Sequence, residues 1–252
     1  MKVRVQGTVP ADPFLSAQDL FETERDLANP VVVRVRDDPD ERTWVGHGEE
    51  KHVLTISTAA ATSAMARELA LHEYSHMARH EESHPSHVLD TEEVLFLALA
   101  GREVEQVALQ HCYQIANHAK DIYADDITLS VGSPEKLISF LESQLAAAVA
   151  DRPVWDRGYR LTSGSDPALT AVNGAFALAL LERHDALDAD HRIYDLAHAA
   201  AADAPNVDFE RFKGRFRDLA DDPAESDYRR ALLDMVRDYV DAREATSGPA
   251  AD

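Results

Sequence analysis

A change of pattern near residue 58 constrains the fold of this chain more than any other feature of its sequence. Before it, short β-branched runs at 3–9, 31–35 and 52–56 predict three strands, and 16–27 has helical spacing. After it, the sequence is rich in Ala and Leu, and most Gly and Pro residues fall between stretches of helical spacing. We therefore expect an α+β fold that is mostly helical, with a small N-terminal sheet before the helices.

The helical part is divided at Gly, Pro and polar turns. The predicted helices span 58–80, 91–100, 102–129, 134–150, 166–183, 191–202, 209–219 and 225–242. An irregular segment near 151–165 is the expected seam between a first domain at 1–150 and a helical C-terminal region at 151–245, followed by a flexible tail at 246–252. We also expect strand 52–56 to form an edge of the sheet, where an extended peptide can add.

The composition excludes several classes of protein. The chain has 252 residues and a formal net charge of −21, from 46 acidic and 25 basic residues, so its surface would repel nucleic acid. No apolar run approaches the roughly 18 residues of a membrane span, and the first ten residues contain no apolar signal region. The single cysteine, Cys112, excludes an internal disulfide and a cysteine-rich zinc site. We expect a cytoplasmic protein with no nucleic-acid partner and no membrane span.

The excess of acidic residues has two interpretations, a binding surface for a cationic partner or adaptation to molar salt. The acids are spread over the whole length, and 20 Arg but only 5 Lys accompany 40 Ala. At 1 M salt the Debye length is about 3 Å, so like charges repel little, while hydrated carboxylates keep the protein in solution. This composition resembles that of proteins from halophilic archaea, and we expect an acidic, halophilic protein.

One motif carries recognisable chemistry, since residues 72–76 are His-Glu-Tyr-Ser-His, an HExxH sequence. On a helix, His72 and His76 lie one turn apart on the same face, so both imidazoles can bind one metal ion. Glu73 would act as general base toward a water and later return the proton to the leaving group. Because the segment from Leu69 to Ala78 carries no other charge, the motif suits a helix packed in a core. The motif therefore predicts a zinc centre of the zincin type.

Zinc in such a centre needs a third protein ligand, and the residues alone leave its identity open. His80 lies two helical turns from His72, about 12 Å away on a straight helix, and we interpret it as a solvated residue. The metzincin pattern fails, since Arg79 and Glu82 stand where it has Gly and His. The alternatives are two histidines in the following loop and three acids further along the chain: His84, His87, Glu92, Glu93 and Glu103.

The remaining candidate is the segment Asp121-Ile122-Tyr123-Ala124-Asp125, an acid followed by two residues and Ala-Asp. Together with HExxH it resembles the motif pair of the CAAX prenyl endopeptidases and heat-shock membrane proteases, which are minimal gluzincins. The resemblance implies that Asp121 is the third zinc ligand and that Asp125 orients His72 and sets its tautomer. It covers only these two motifs, and Asp121 stands where those families usually have Glu. His118, one turn before Asp121, is expected to face the same cavity.

Over its full length the sequence also resembles a haloarchaeal family of uncharacterised HExxH proteins. The resemblance rests on the segments Val5–Phe14, Ala70–Glu73 and Cys112–His118. It implies halophily and a zincin-like helical core, but no activity.

These observations predict a zinc-dependent metallopeptidase that hydrolyses a peptide or protein substrate with a metal-activated water. The alternative is a metal-binding but catalytically silent zincin-like protein with a regulatory or scaffold role, whose helical C-terminal half binds partners. No oligomeric state or cleavage specificity is predicted. The donor that would stabilise the oxyanion has several candidates: Tyr123, Tyr159, Tyr194, His184, His191 and His198.

Overall fold

A computed structural model of the chain describes residues 1–38, 40–153, 155–156, 159–160 and 164–246, without the side chains of 155, 156, 159, 160 and 246. Helices predominate and a four-stranded N-terminal sheet precedes most of them, so the predicted, mostly helical α+β fold is confirmed. The strands are β1 (Val3–Gln6), β2 (Val31–Arg36), β3 (Trp44–His47), β4 (His52–Ser57), β5 (Trp155–Asp156) and β6 (Tyr159–Arg160). The helices are α1 (Asp12–Phe21), α2 (Thr58–Ala61), α3 (Ala66–Glu81), α4 (Pro85–Val88), α5 (Thr91–Leu99), α6 (Gln106–Val131), α7 (Glu135–Ala150), α8 (Pro167–Arg183), α9 (Arg192–Ala202), α10 (Phe209–Arg217) and α11 (Glu225–Thr246).

The N-terminal sheet is mixed and has the strand order β1-β2-β4-β3. β1 pairs in parallel with β2, and β2 pairs in parallel with β4, with Val31 opposite His52. β3 pairs antiparallel with β4, with Trp44 opposite Thr55. The prediction that 52–56 forms an edge strand is therefore wrong. The Gly-containing segment before it folds back as a further strand, β3, which takes the edge instead.

Two helix boundaries near the N-terminus differ from the sequence prediction. The first helix begins at Asp12 rather than Ser16, because Pro13 in its first turn is well suited to a helix start. The stretch predicted as one helix over 58–80 is divided into α2 and α3. At the break the Ser63 hydroxyl bonds to backbone groups of its neighbours at 2.8 and 3.2 Å and so competes with the helical hydrogen bonds. The other predicted helices are present, with ends that differ by a few residues.

The chain divides into two compact units. Unit 1 comprises Met1–Val88 and Tyr123–Lys136, and unit 2 comprises Leu89–Ile122 and Leu137–Asp252. The division runs through α6, a continuous helix that contributes to both units. The domain boundary predicted after residue 150 does not coincide with this division into units. The two predicted domains stay a prediction.

Unit 1 has a core formed by the sheet together with α1 and α3. The Tyr74 hydroxyl on α3 donates to the Phe14 carbonyl on α1 at 3.2 Å, and its ring meets Phe21 edge-on at 6.3 Å. The apolar side chains of strands and helices are buried together, among them Phe14, Phe21, Val31, Val33, Leu54, Ile56, Leu71, Tyr74 and Met77. This packing determines which face of α3 remains for chemistry.

Unit 2 consists mainly of helices, and α8 is buried along most of its length where it contacts α9 and α10. Asp166 caps α8 through the Leu169 N–H at 3.1 Å and pairs with Arg243 of α11 at 2.7 Å. Thr246 ends α11, and residues 247–252 of the predicted tail lie outside the described residues. Within the described ranges, no helix is both long enough and apolar enough to cross a membrane.

Candidate metal centre

The HExxH motif lies in the middle of α3, on the side of the helix that the core leaves partly open. The buried residues of α3 recur at helical spacing along one face of the helix, and they include Ala70, Leu71, Tyr74, Met77 and Ala78. His72, Glu73 and His76 are half-buried. The burial of the apolar face therefore presents the three polar side chains of the motif away from the core of unit 1.

The two histidines of the motif bring their ring nitrogens together as the spacing predicts. The Nε2 atoms of His72 and His76 lie 2.9 Å apart. One ligand atom each from His72, His76 and Asp121 lie within 4.8 Å of one another, and all three residues are half-buried. Asp121 is carried there by α6, one helical turn before Asp125. Among the described residues, this is the one group of three or more such side chains whose geometry can hold a metal ion.

Asp125 lies beside His72, at the position that the gluzincin resemblance implies. Its Oδ1 atom is 2.7 Å from His72 Nδ1, and the residue is only 3% exposed. Because a carboxylate is an acceptor only, His72 donates through Nδ1–H and presents the Nε2 lone pair. This is the tautomer that a metal ligand bound through Nε2 requires.

The alternative third ligands lie in other surroundings. His87 contacts His76 through the far side of the His76 ring, with His76 Nδ1 2.7 Å from His87 Nε2. His84 is buried against the ring of Tyr123 at a centroid distance of 4.4 Å. The three acids Glu92, Glu93 and Glu103 are exposed, and Glu93 pairs with Arg229 at 3.3 Å. None of the five belongs to the metal-competent group found among the described residues.

His80 belongs to a second histidine cluster at the end of α3, so its interpretation as a solvated residue is wrong. Its ring stacks on that of His47 at 3.8 Å, and His47 Nδ1 lies 3.0 Å from His52 Nδ1. His52 Nε2 in turn lies 2.9 Å from Glu81 Oε1. Desolvation lowers the pKa of His80, and the neighbouring His52 lowers it further. Two parallel stacked rings cannot direct both lone pairs to one ion, and no residue of this cluster belongs to the metal-competent group found among the described residues.

His118 lies one turn before Asp121 on α6, and its Nδ1 atom is 3.7 Å from Asp121 Oδ2. Its Nε2 atom lies 2.9 Å from Asn173 Oδ1, and its ring stacks on Phe176 at 4.1 Å. Burial lowers the pKa of the neighbouring Lys120 against the opposing effect of Asp121 and Asp90. His118 is thus held by unit 2 in an orientation that directs one nitrogen toward Asp121.

The candidates for an oxyanion donor have different surroundings. Tyr123 is fully buried, and His191 uses its side chain to cap α9 through the Ile193 N–H at 3.2 Å. His198 is exposed on α9, and the side chain of Tyr159 lies outside the described residues. Burial raises the pKa of Tyr194. These surroundings do not single out one of the candidates as the donor to an oxyanion.

Comparison with known families adds one result. Residues 1–241 match the sequence pattern of DUF5781, which is described as a family of unknown function. No curated protein and no solved structure matches the chain.

Proposed function

This chain belongs to the family DUF5781, and we propose that it is a zinc-dependent metallopeptidase that hydrolyses peptide bonds with a metal-activated water. The observation that carries the proposal is that ligand atoms of His72, His76 and Asp121 lie within 4.8 Å of one another. His72 and His76 belong to α3, the helix that also carries Glu73. The buried carboxylate of Asp125, which lies 2.7 Å from His72 Nδ1, also supports the proposal.

The donor set fits zinc better than other common metals. Two imidazole nitrogens and one carboxylate oxygen are the ligands of catalytic zinc sites that keep a fourth position open. Calcium and magnesium prefer oxygen ligands only, and structural zinc sites use four protein ligands. The three residues are half-buried rather than enclosed, so solvent reaches their side chains.

Zinc in this site would supply the Lewis acid that peptide hydrolysis requires. Glu73, half-buried and next to His72 on α3, is the general base that takes the proton of the attacking water and returns it to the leaving amine. Asp125 holds His72 in its Nδ1–H tautomer. The edge strand β3 contacts α3 in the same unit and offers backbone groups to which an extended peptide can add.

The acidic composition supports a halophilic, cytoplasmic setting as part of the same proposal. Assays therefore belong in molar KCl, where the surface acids repel one another least. The protein would act on peptide or protein substrates there.

The proposal is tested by zinc content and by Glu73→Gln. Full-length protein purified in high salt should contain close to one zinc per chain by elemental analysis. Glu73→Gln should retain that zinc and lower hydrolysis of a peptide library roughly 100- to 10,000-fold, the usual contribution of a general base. Less than a tenth of a zinc per chain contradicts the metal site. Zinc without turnover of any peptide would favour the silent regulatory or scaffold protein instead.

A further inference from the structure

A chain of hydrogen bonds leads from the second histidine of HExxH into the turn that follows α3. His76 Nδ1 lies 2.7 Å from His87 Nε2, and His87 Nδ1 lies 2.7 Å from Ser86 Oγ. Ser86 Oγ lies 2.7 Å from His84 Nδ1. Ser86 and His84 are 0% and 5% exposed, so water competes little for these bonds. All four residues belong to unit 1.

The direction of donation along this chain follows from one backbone group. The Ser86 N–H donates to His84 Nδ1 at 3.2 Å, so that nitrogen is an acceptor and carries no proton. The Ser86 hydroxyl therefore also donates to His84 Nδ1, and its oxygen accepts from His87 Nδ1–H. His87 Nε2 is then the unprotonated nitrogen of a neutral ring, and it accepts from His76 Nδ1–H.

We propose that His87 is a positioning residue of the zinc site, which holds His76 in the tautomer that binds metal. With its proton on Nδ1, His76 keeps Nε2, which lies 2.9 Å from Nε2 of His72, unprotonated and able to bind the metal. This inference rests on the zinc site proposed above. Asp125 orients His72 in the same way through a carboxylate. For His76 the acceptor is instead the neutral imidazole of His87, which is itself hydrogen-bonded to Ser86.

The turn that brings His87 to His76 is built into the end of α3. Ser83 has a φ of 55°, and the N–H groups of Ser83 and His84 donate to carbonyls in the last turn of α3 at 3.0 and 2.9 Å. This is a Schellman ending, in which one left-handed residue reverses the chain. The short helix α4 then carries His87 back against His76, so the partner of the second ligand comes from the segment directly after the motif helix.

Zinc affinity of two variants at position 87 tests the proposal. His87→Leu removes the acceptor, and we expect its zinc dissociation constant to rise about 10- to 100-fold, as for other residues that orient a ligand. His87→Gln keeps an oxygen that can accept from His76 Nδ1–H, and its affinity should stay close to that of the wild type. His198→Leu is the matched control, since His198 is an exposed residue of α9 in unit 2. Affinity is measured by competition with a chromophoric chelator on folded, full-length protein in high salt.

The tautomer of His76 in the metal-free protein gives a second readout, which a general loss of stability would not reproduce. Long-range correlation spectra of protein labelled with nitrogen-15 in histidine distinguish Nδ1–H from Nε2–H rings. We expect the Nδ1–H form at His76 in the wild type and in His87→Gln, and its loss in His87→Leu.

Two results would overturn the inference without touching the proposed function. One is a wild-type His76 in the Nε2–H form. The other is a folded His87→Leu variant that binds zinc as tightly as a zinc-binding wild type. A wild type that binds no zinc would overturn the proposed function and the inference together.

Discussion

Nδ1 of His72 lies 2.7 Å from Oδ1 of Asp125, although the two residues are 53 positions apart and belong to different helices of unit 1. Next to this bond, Ser75 Oγ and Thr128 Oγ1 lie 3.1 Å apart, so α3 and α6 meet through polar side chains as well as apolar ones. A carboxylate that is 3% exposed is costly to bury unless it accepts hydrogen bonds. The contact therefore points to a role for Asp125 in orienting His72.

Asp125→Asn should weaken zinc binding while the protein stays folded. The amide can still accept from His72 Nδ1–H, but it lacks the negative charge that makes the imidazole a stronger ligand, so we expect the zinc dissociation constant to rise about 10- to 100-fold. Glu105→Gln, which removes an exposed carboxylate just before α6, is the control. Chelator competition measures the affinity and a thermal melt of the metal-free protein checks the fold. Unchanged affinity in Asp125→Asn would remove Asp125 from the site.

Asp121 should matter more to zinc binding than any of the other acids. Asp121→Asn replaces the carboxylate that we propose as the third ligand by a weakly coordinating amide, so its effect should exceed the about 10- to 100-fold expected for a residue that only orients a ligand. The exposed acids Glu92, Glu93 and Glu103 provide Gln variants of matched charge, which should bind zinc like the wild type. If Glu103→Gln lost zinc and Asp121→Asn kept it, the third ligand would have been assigned to the wrong residue.

Local helical spacing made part of this site predictable from sequence. His72 and His76, and likewise Asp121 and Asp125, are four residues apart, so a helix places each pair on one face without further information. The contacts made by His80 and His87 depend on elements that the sequence pattern does not reveal. His80 meets His47 because β3 folds back onto β4, and β3 contains no β-branched run like those that predicted the other strands of the sheet.

His87 shows the same limit of pattern-based reasoning. It reaches His76 because Ser83 adopts a left-handed conformation, which the sequence would have signalled only with Gly or Asn at that position. The helical pattern of 58–80 likewise did not reveal the break at Ser63, where a side chain competes with the backbone. In each case a single side chain or φ angle outweighs the periodicity.

Gly132 and Gly214 should respond to alanine in opposite directions. At Gly132, just after α6, an added Cβ would lie 2.9 Å from the Thr128 carbonyl oxygen and 3.2 Å from Leu71 Cδ2. Overpacking of this kind costs about 1–3 kcal/mol. At Gly214, within α10, the nearest atom is 3.9 Å away, so Ala should stabilise the helix by about 0.5–1 kcal/mol. Urea unfolding at fixed KCl measures both, and a Gly132→Ala variant as stable as the wild type would show that α3 and α6 are less closely packed.

The histidine cluster beyond the candidate metal site should make unit 1 sensitive to acid. Partial burial lowers the pKa of His47 to about 4, with further contributions from His80 and His52. An unfolded histidine titrates near its ordinary value of 6.5, so between pH 6.5 and 4 the unfolded chain binds more protons than the folded one. Stability therefore falls as the pH is lowered through this window. Burial raises the pKa of Glu81, but hydrogen bonds from Ala28 N–H and His52 outweigh it, so its pKa is lowered and a further loss follows at lower pH.

His47→Gln should remove the loss of stability that comes from the lowered pKa of His47. Because His47 is the last residue of the edge strand β3, the variant should fold normally, and its unfolded chain has no imidazole at this position to take up a proton between pH 7 and pH 5. We expect the melting temperature of the wild type to fall more than that of His47→Gln over this range. The comparison is made on metal-free protein at constant KCl, so that proton-driven loss of zinc does not contribute. The exposed His198→Gln variant should fall as much as the wild type, and an equal fall in His47→Gln would show that His47 titrates as it does in the unfolded chain.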